Sequence, residues 1–274
     1  DVVFTKGGFV CLPVGFAAKL LRIPLVIHDS DAHPGLTNRV LAKWATSIAT
    51  GAPLEHYDYP KDRSRYIGIP IANEFKPFSK TKQIAAKQEL GIAQNMPLIV
   101  VTGGGLGATR INNAVVNCLD ELLKYTSVIL VSGTAQYDEL AALTPNFEPD
   151  RFQLHAFVSS GMDQMLGAAD VVVARAGATT LLELAGLAKP TILVPNGYLT
   201  GGHQLKNAAV YTHKNAAIVI DEHDLDDDAS ILTKQVRELL ADDEEREKLA
   251  HNLHLFARPH AAKDLAAMIE AAAK

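Results

Sequence analysis

The chain has 274 residues, 48% hydrophobic and 21% charged, with a net charge of −5, enough for one large domain or two compact ones. No apolar run reaches the length of a bilayer span, since residues 12 to 28 are interrupted by Lys19 and Arg22, and no basic stripe interleaved with aromatics points to nucleic acid. The charge is uneven: residues 1 to 80 hold ten Lys/Arg against seven Asp/Glu, while the remainder is acidic, which keeps an anionic membrane surface open as a partner of the N-terminal part.

Residues 2 to 4 read as a buried strand, and Lys6-Gly7-Gly8 turns the chain into a helix ending near Arg22. A strand over 23 to 28, a helix over 35 to 44 and short strands over 47 to 50 and 66 to 69 follow. Residues 74 to 84, EFKPFSKTKQI, are polar, basic and proline-containing, and read as a linker. A second series then supplies strands over 98 to 102, 128 to 131, 152 to 155, 171 to 174, 191 to 194 and 217 to 220, each followed by a helical pattern. Six parallel strands with intervening helices make a complete Rossmann-like domain. Residues 221 to 228 read as an acidic loop before terminal helices, and residues 242 to 248 as a solvated helix face. Cys11 and Cys118 lack metal or redox spacing and read as core thiols. The expected fold is α/β, with two Rossmann-like domains built on parallel sheets: residues 1 to 78, residues 79 to 250, and a C-terminal helix over 251 to 274 packing back toward the first.

Three segments carry chemistry. In DVVVARAGATTLLE a strand stops at Arg175, turns on Gly177 and enters a helix, so the first-turn N–H groups of Ala178, Thr179 and Thr180 point at whatever lies above the sheet. Glu183 follows within that helix, where a carboxylate can accept hydrogen bonds from a vicinal diol. Residues 101 to 108, VTGGGLGA, form a second strand–glycine–helix junction, with Gly104, Gly105 and Gly107 allowing close backbone approach to an anion. Its spacing is neither a Walker loop nor a dinucleotide fingerprint. In GGHQLKNA, His203, Gln204 and Asn207 open a further helix, and such amides suit sugar hydroxyls and phosphate oxygens. Phosphate plus diol points to a nucleotide.

The pattern RAGATTLLELAGLAKPTILVP followed by HQLKNA resembles the donor-site signature of the MurG family, bacterial UDP-N-acetylglucosamine transferases acting on a lipid-linked muramyl-pentapeptide. TKGGFVCLPVGFAA resembles that family's second glycine loop, HDSDAHPGLTNRVLAKWAT its HEQN…GLTN segment, and TGGGLGATRIN its third glycine loop, all in family order. The resemblance implies a GT-B fold and inverting transfer of GlcNAc from UDP-GlcNAc to undecaprenyl-pyrophosphoryl-MurNAc-pentapeptide, with no required metal and no cofactor, at the cytoplasmic face of the inner membrane. It implies that Ala178, Thr179, Thr180 and Glu183 hold the diphosphate and ribose, that Phe157 and Val158 contact the uracil, and that His203, Gln204 and Asn207 hold the sugar or phosphates. Gly7, Gly8, Thr37 and Asn38 fall in its acceptor-side loops.

Departures from the family pattern are specific. The usual Ser of the third loop is Gly105, HEQN reads His28-Asp29-Ser30-Asp31, and a frequent Arg is Ala72. The first glycine loop, whose histidine is the most attractive base, has no counterpart and aligns upstream of Asp1, so the N-terminal domain is expected to be incomplete. His28, Asp29 and Asp31 are then the base candidates, or alternatively anchors for the loop or acceptor. Lys19, Arg22, Arg39, Lys43 and Trp44 supply a basic and aromatic rim for headgroups, or an ordinary solvated face. Two other functions fit the same signature: another nucleotide-sugar enzyme, such as a diacylglycerol glycosyltransferase or a UDP-GlcNAc 2-epimerase, and a non-catalytic UDP-sugar-binding module.

Overall fold

The structure, a computed structural model, describes residues 1–105, 107–144, 147–198 and 202–273. The chain divides into two units, Asp1–Asn73 with Ala257–Lys274, and Glu74–Phe256.

The first unit begins with β1 (Val3–Thr5), α1 (Cys11–Leu20), β2 (Leu25–Asp29), α2 (Leu36–Leu41), β3 (Ser47–Thr50) and β4 (Ser64–Tyr66). These strands pair in parallel in sequence order. β4 lies two residues earlier than the pattern of buried Ile67 and Ile69 suggests. The ladder ends where the N–H groups of Ile67 and Gly68 both donate to the Thr50 carbonyl, and Gly68 turns away at φ +84°. The two isoleucines are buried from irregular backbone after the strand.

The second unit holds α3 (Lys80–Glu89), β5 (Leu98–Thr102), α4 (Thr109–Asn117), α5 (Leu119–Leu122), β6 (Ser127–Val131), α6 (Tyr137–Leu143), β7 (Phe152–His155) and α7 (Met162–Ala168). It continues with β8 (Val171–Ala174), α8 (Ala178–Leu187), β9 (Thr191–Leu193), α9 (His203–Thr212), β10 (Ile218–Val219), α10 (Glu222–Asp227), α11 (Ser230–Ala241) and α12 (Asp243–His254). Its six parallel strands run β10-β9-β8-β5-β6-β7. β5, β6 and β8 are buried at every position, which is why they read as unbroken apolar runs and not as alternating ones. Ile99, Val101, Leu130, Val171 and Val173 pack there with Ile111, Val115, Val236 and Leu249 of the covering helices. The chain ends with α13 (Ala261–Ala273), which returns to the first unit. Its Ala261, Leu265 and Met268 stripe packs on Val26 and Ala49 at helical spacing. Among the described residues no helix is long and apolar enough to cross a membrane.

The segment read as a linker is half helix. Ser79 caps α3 by accepting from the Lys82 N–H at 3.2 Å. Gln83 reaches the carbonyls of Ala168 and Ala169 and the Asp170 carboxylate, and Lys87 pairs with Asp170 at 2.6 Å. The polar residues that suggested a solvated tether are therefore the ones that fasten α3 to the domain. Likewise the acidic stretch 221 to 228 is not a loop throughout, because Asp221 accepts from the His223 N–H and caps α10.

Asp170 gathers these bonds: it also accepts from the Leu98 N–H at 2.7 Å, and Lys189, pulled down to about 8 by burial, donates to the neighbouring Ala169 carbonyl at 2.9 Å. Asp170→Ala strands a buried Lys87 and frees the start of β5. It is expected to cost about 2–4 kcal/mol, read as a lower urea midpoint for the second unit with its slope unchanged.

Candidate active site

The carboxyl ends of β5 and β8 each run into a glycine turn. After Thr102 the chain passes Gly103, Gly104 (φ +73°), Gly105 and Gly107 (φ +76°) into α4; Leu106 lies outside the described residues. A methyl on Gly103 would sit 2.3 Å from the Gly107 carbonyl carbon, and one on Gly107 2.5 Å from the Ser132 carbonyl oxygen. The loop thus closes on itself and on the end of β6, which no side chain at these positions permits. At Gly104 and Gly105, by contrast, an added methyl meets nothing within 4 Å, so that side of the loop faces open space.

After β8, Gly177 in extended conformation opens α8 with no side-chain cap, as Ala108 does for α4. The first-turn N–H groups of both helices therefore carry partial positive charge with no side chain from the capping residue to satisfy them. A cavity of about 340 Å³ lies between the two turns, lined by Gly104 and Gly105 from the first and Thr179, Thr180 and Glu183 from α8. Phe157 and Val158, on the loop after β7, are the other lining residues expected from sequence, and Phe157 is 61% exposed. Burial alone pushes the Glu183 carboxyl above its ordinary range.

Thr102, Val131, Met162 and Leu166 also line this cavity and were not singled out by sequence. Two are the last residues of apolar strands and two lie on the stripe of α7, so in sequence they are indistinguishable from core. Gly107, Ala178, His203, Gln204 and Asn207 are not among its lining residues. Gln204 accepts from the Asn196 N–H through Oε1 at 2.8 Å, and Asn207, 2% exposed, donates to the Ala176 carbonyl at 3.1 Å. These amides fix the backbone of two strand-end turns. His203 is the half-buried first residue of α9, and Gly201 before it lies outside the described residues.

In the first unit, His28 is fully buried at the end of β2. Its Nε2 donates to the Gly68 carbonyl at 2.7 Å, and its Nδ1 accepts from Ser30 Oγ at 3.3 Å. Burial lowers its pKa, so it stays neutral in that bond. Asp29, 5% exposed, accepts from Tyr59 Oη at 2.7 Å and from the Asn38 amide. Asn38 also donates to the His28 carbonyl and lies against Gly7, whose φ of +83° and missing side chain make room for it. Gly8, also left-handed at φ +84°, follows, and Thr37 lies in the first turn of α2. Asp31 is half-buried, its backbone carbonyl accepting from Tyr57 Oη at 2.6 Å. Among the described residues no three His, Cys, Asp or Glu side chains are grouped to hold a metal ion.

The outer face of the first unit is apolar around α1. Phe9, Val10, Leu20 and Leu21 are 69–87% exposed. Beside them Lys19 lies 4.4 Å above the Trp44 ring, which also meets Phe16 at 5.0 Å. Arg39 and Lys43 line a separate cavity, also of about 340 Å³, with Tyr59 and Arg63.

Two α/β units with all-parallel sheets, one carrying glycine turns around a cavity at its strand ends, have the GT-B fold of MurG-type glycosyltransferases. The models for the glycosyltransferase family 28 C-terminal and N-terminal domains match residues 98–265 and 1–50. The chain is 36% identical over 230 residues to the UDP-N-acetylglucosamine–N-acetylmuramyl-(pentapeptide) pyrophosphoryl-undecaprenol N-acetylglucosamine transferase of Halalkalibacterium halodurans, covering 83% of this chain and 62% of that protein. It is 34% identical over 267 residues to the protein of that name from Bacillus licheniformis, covering 97% and 71%. In structure it matches MurG of Acinetobacter baumannii with a TM-score of 0.77 at 24% identity, covering 99% of this chain and 73% of that one. The chain belongs to the MurG family of N-acetylglucosamine transferases. It spans 62% of the length of the first of these relatives.

Burial pushes the Asp29 carboxyl up to about 6 from an ordinary 3.8, against the opposing pull of Tyr59 and Asn38. Between those values the folded chain binds more protons than the unfolded one, so this contribution is fully present below 3.8 and lost as the pH rises through 6. Asp29→Asn keeps an acceptor for Tyr59 without the charge. Relative to wild type, its stability by urea unfolding is expected to improve by about 3 kcal/mol between pH 3.5 and pH 7.

Proposed function

We propose that this chain carries the donor site and part of the acceptor side of a transferase that moves GlcNAc from UDP-GlcNAc to undecaprenyl-pyrophosphoryl-MurNAc-pentapeptide. The observation that carries the reading is the cavity between the β5 and β8 turns. The uncapped N-terminus of α8, open glycine backbone, an exposed aromatic residue and a half-buried carboxylate converge on one volume. A UDP-sugar needs each of these: N–H groups for the diphosphate at Gly105, Thr179 and Thr180, beside the open backbone of Gly104, whose own N–H donates to Thr102 Oγ1, an aromatic face for the uracil at Phe157, and a carboxylate acceptor for the ribose diol at Glu183. The names of the relatives supply the acceptor class.

Displacing UDP from the anomeric carbon requires stabilisation of the leaving diphosphate and a base for the incoming hydroxyl. The helix N-termini supply the first. His28 and Asp29 are assigned an anchoring role in this reading, since their polar atoms are spent on Gly68, Ser30, Tyr59 and Asn38. Asp31 is the least enclosed of the three and takes the place of base candidate.

The acceptor's lipid tail requires a membrane, and the exposed apolar residues around α1, with Lys19, Arg22 and Trp44 at their edge, suit peripheral docking on anionic headgroups. In sedimentation with vesicles of mixed phosphatidylcholine and phosphatidylglycerol, Lys19→Glu with Leu20→Glu is expected to lower binding about tenfold. Equal binding by the variant, or equal binding to neutral vesicles, would remove the membrane assignment.

For the donor, calorimetry is expected to show UDP and UDP-GlcNAc binding to the wild type, with Glu183→Gln about ten times weaker. Affinity should decline with falling pH from a point above the usual carboxylate range, because burial raises the Glu183 pKa. Absence of UDP binding would overturn the donor site. Radiolabel transfer to diacylglycerol but not to the lipid-linked muramyl-pentapeptide would overturn the acceptor.

A further inference from the structure

Glu222 is the first residue of α10, just beyond the end of β10, and is 2% exposed. A carboxylate that deep is tolerated only when its lone pairs are fully used. Its Oε2 accepts from Arg175 Nη1 at 2.6 Å, and its Oε1 accepts from the Gly197 N–H at 2.9 Å and lies 3.4 Å from Arg110 Nη1. Arg175 also donates to the Val194 carbonyl at 3.0 Å. Arg110 pairs with Asp226 through Nε at 2.8 Å, donates to Tyr198 Oη at 3.3 Å, and stacks 4.7 Å from the Tyr198 ring centroid.

Four segments therefore meet on one carboxylate. Arg110 lies in the first turn of α4, directly after the Gly103–Ala108 loop, and Arg175 opens the turn before α8. Gly197 belongs to the segment after β9, and Glu222 itself to α10. The first two segments carry the walls of the nucleotide cavity, yet none of Arg110, Arg175 and Glu222 lines it. Their charges act on each other and on the backbone.

We propose that Glu222 and Arg110 are positioning residues for the nucleotide site. Their bonds fix the distance and orientation between the two glycine turns, so that the open backbone at Gly104 and Gly105 and the first-turn N–H groups of α8 face the one cavity before a nucleotide enters. Loops held in the bound arrangement do not have to be ordered on binding, which raises affinity without adding a contact. The carboxylate is suited to the task because it accepts from two directions at once. A glutamine of the same size presents an amide N–H₂ to one of its donors.

This inference rests on the donor-site reading, and the test separates the two. UDP calorimetry and thermal unfolding would be measured on the 274-residue chain and on Arg110→Ala, Glu222→Gln and the double variant. Arg110 is 28% exposed as a side chain, so Arg110→Ala is expected to keep its Tm within about 2 °C while the Kd for UDP rises about tenfold. Glu222→Gln should weaken UDP binding by a similar factor, and the double variant by no more than the stronger single one, since both break one network. If Glu222→Gln does not fold, Arg110→Ala carries the test alone. Wild-type UDP affinity in a folded Arg110→Ala, or additive losses in the double variant, would overturn the positioning role and leave the donor site standing. A wild type that does not bind UDP would remove both.

Discussion

The site depends on the point at which the larger sheet changes direction. From β5 the chain adds β6 and then β7 on one side. It then returns to place β8 against the other edge of β5 and continues outward through β9 and β10. Parallel pairing sends every strand's carboxyl end to the same rim, so every βα turn opens there. At the β5–β8 boundary the turns on either side lead in opposite directions, and a crevice is left that neither helix fills. The turn after β5 supplies Gly104 and Gly105, and the turn after β8 leads to Thr179, Thr180 and Glu183. No other pair of adjacent strands in this order offers that geometry, because only this pair straddles the reversal.

A crevice flanked by independent loops binds poorly unless the loops are held. Here they are held by buried polar groups whose partners are mostly backbone atoms. Asn112, fully buried, donates to the Ser132 carbonyl and to Gln136. Asn207 holds Ala176, Gln204 holds Asn196, and Glu222 takes Gly197 together with two arginines. At the opposite end of the same strands Asp170 does this for α3 and the start of β5. The apolar core fixes where the strands lie; these bonds fix where the turns point. In stability terms a buried ion pair is often no better than well-packed apolar groups, so its value lies in specifying one arrangement of loops.

This division explains what was legible in the sequence. Strand positions were legible because both faces of a parallel sheet are buried, leaving uninterrupted runs such as residues 171 to 173. The glycine turns were legible because only glycine permits the close approach at Gly103 and Gly107. Glu183 was singled out by its place in the helix after the β8 turn and Phe157 by the family resemblance, neither by periodicity, and both line the cavity. Polar residues that bond backbone were not legible. Gln204 and Asn207 have the residue types and spacing of ligand contacts, and nothing local says that their partners are Asn196 and Ala176. Lys80 to Gln83 looked like a tether because the partners of Gln83, the Ala168 and Ala169 carbonyls and the Asp170 carboxylate, lie far along the chain, as does Gly167, on which Phe78 packs. Glu222 stood in an acidic run that composition assigns to solvent. The one local clue was Asp221 directly after a strand, a capping residue that announces a helix and not a loop.

Asp29 and Glu183 show how the same chemistry is used in opposite ways. Both are carboxyls at the rim of a parallel sheet, and burial raises the pKa of both. For Asp29 the cost is reduced, though not cancelled, within the protein by Tyr59 and Asn38, and the result is a closed loop around β2. For Glu183 burial is the cause of the shift, and the side chain lines an open cavity. A carboxylate whose desolvation is not compensated by its own fold is destabilising unless something else supplies donors. Sites that violate local satisfaction in this way are where function is expected.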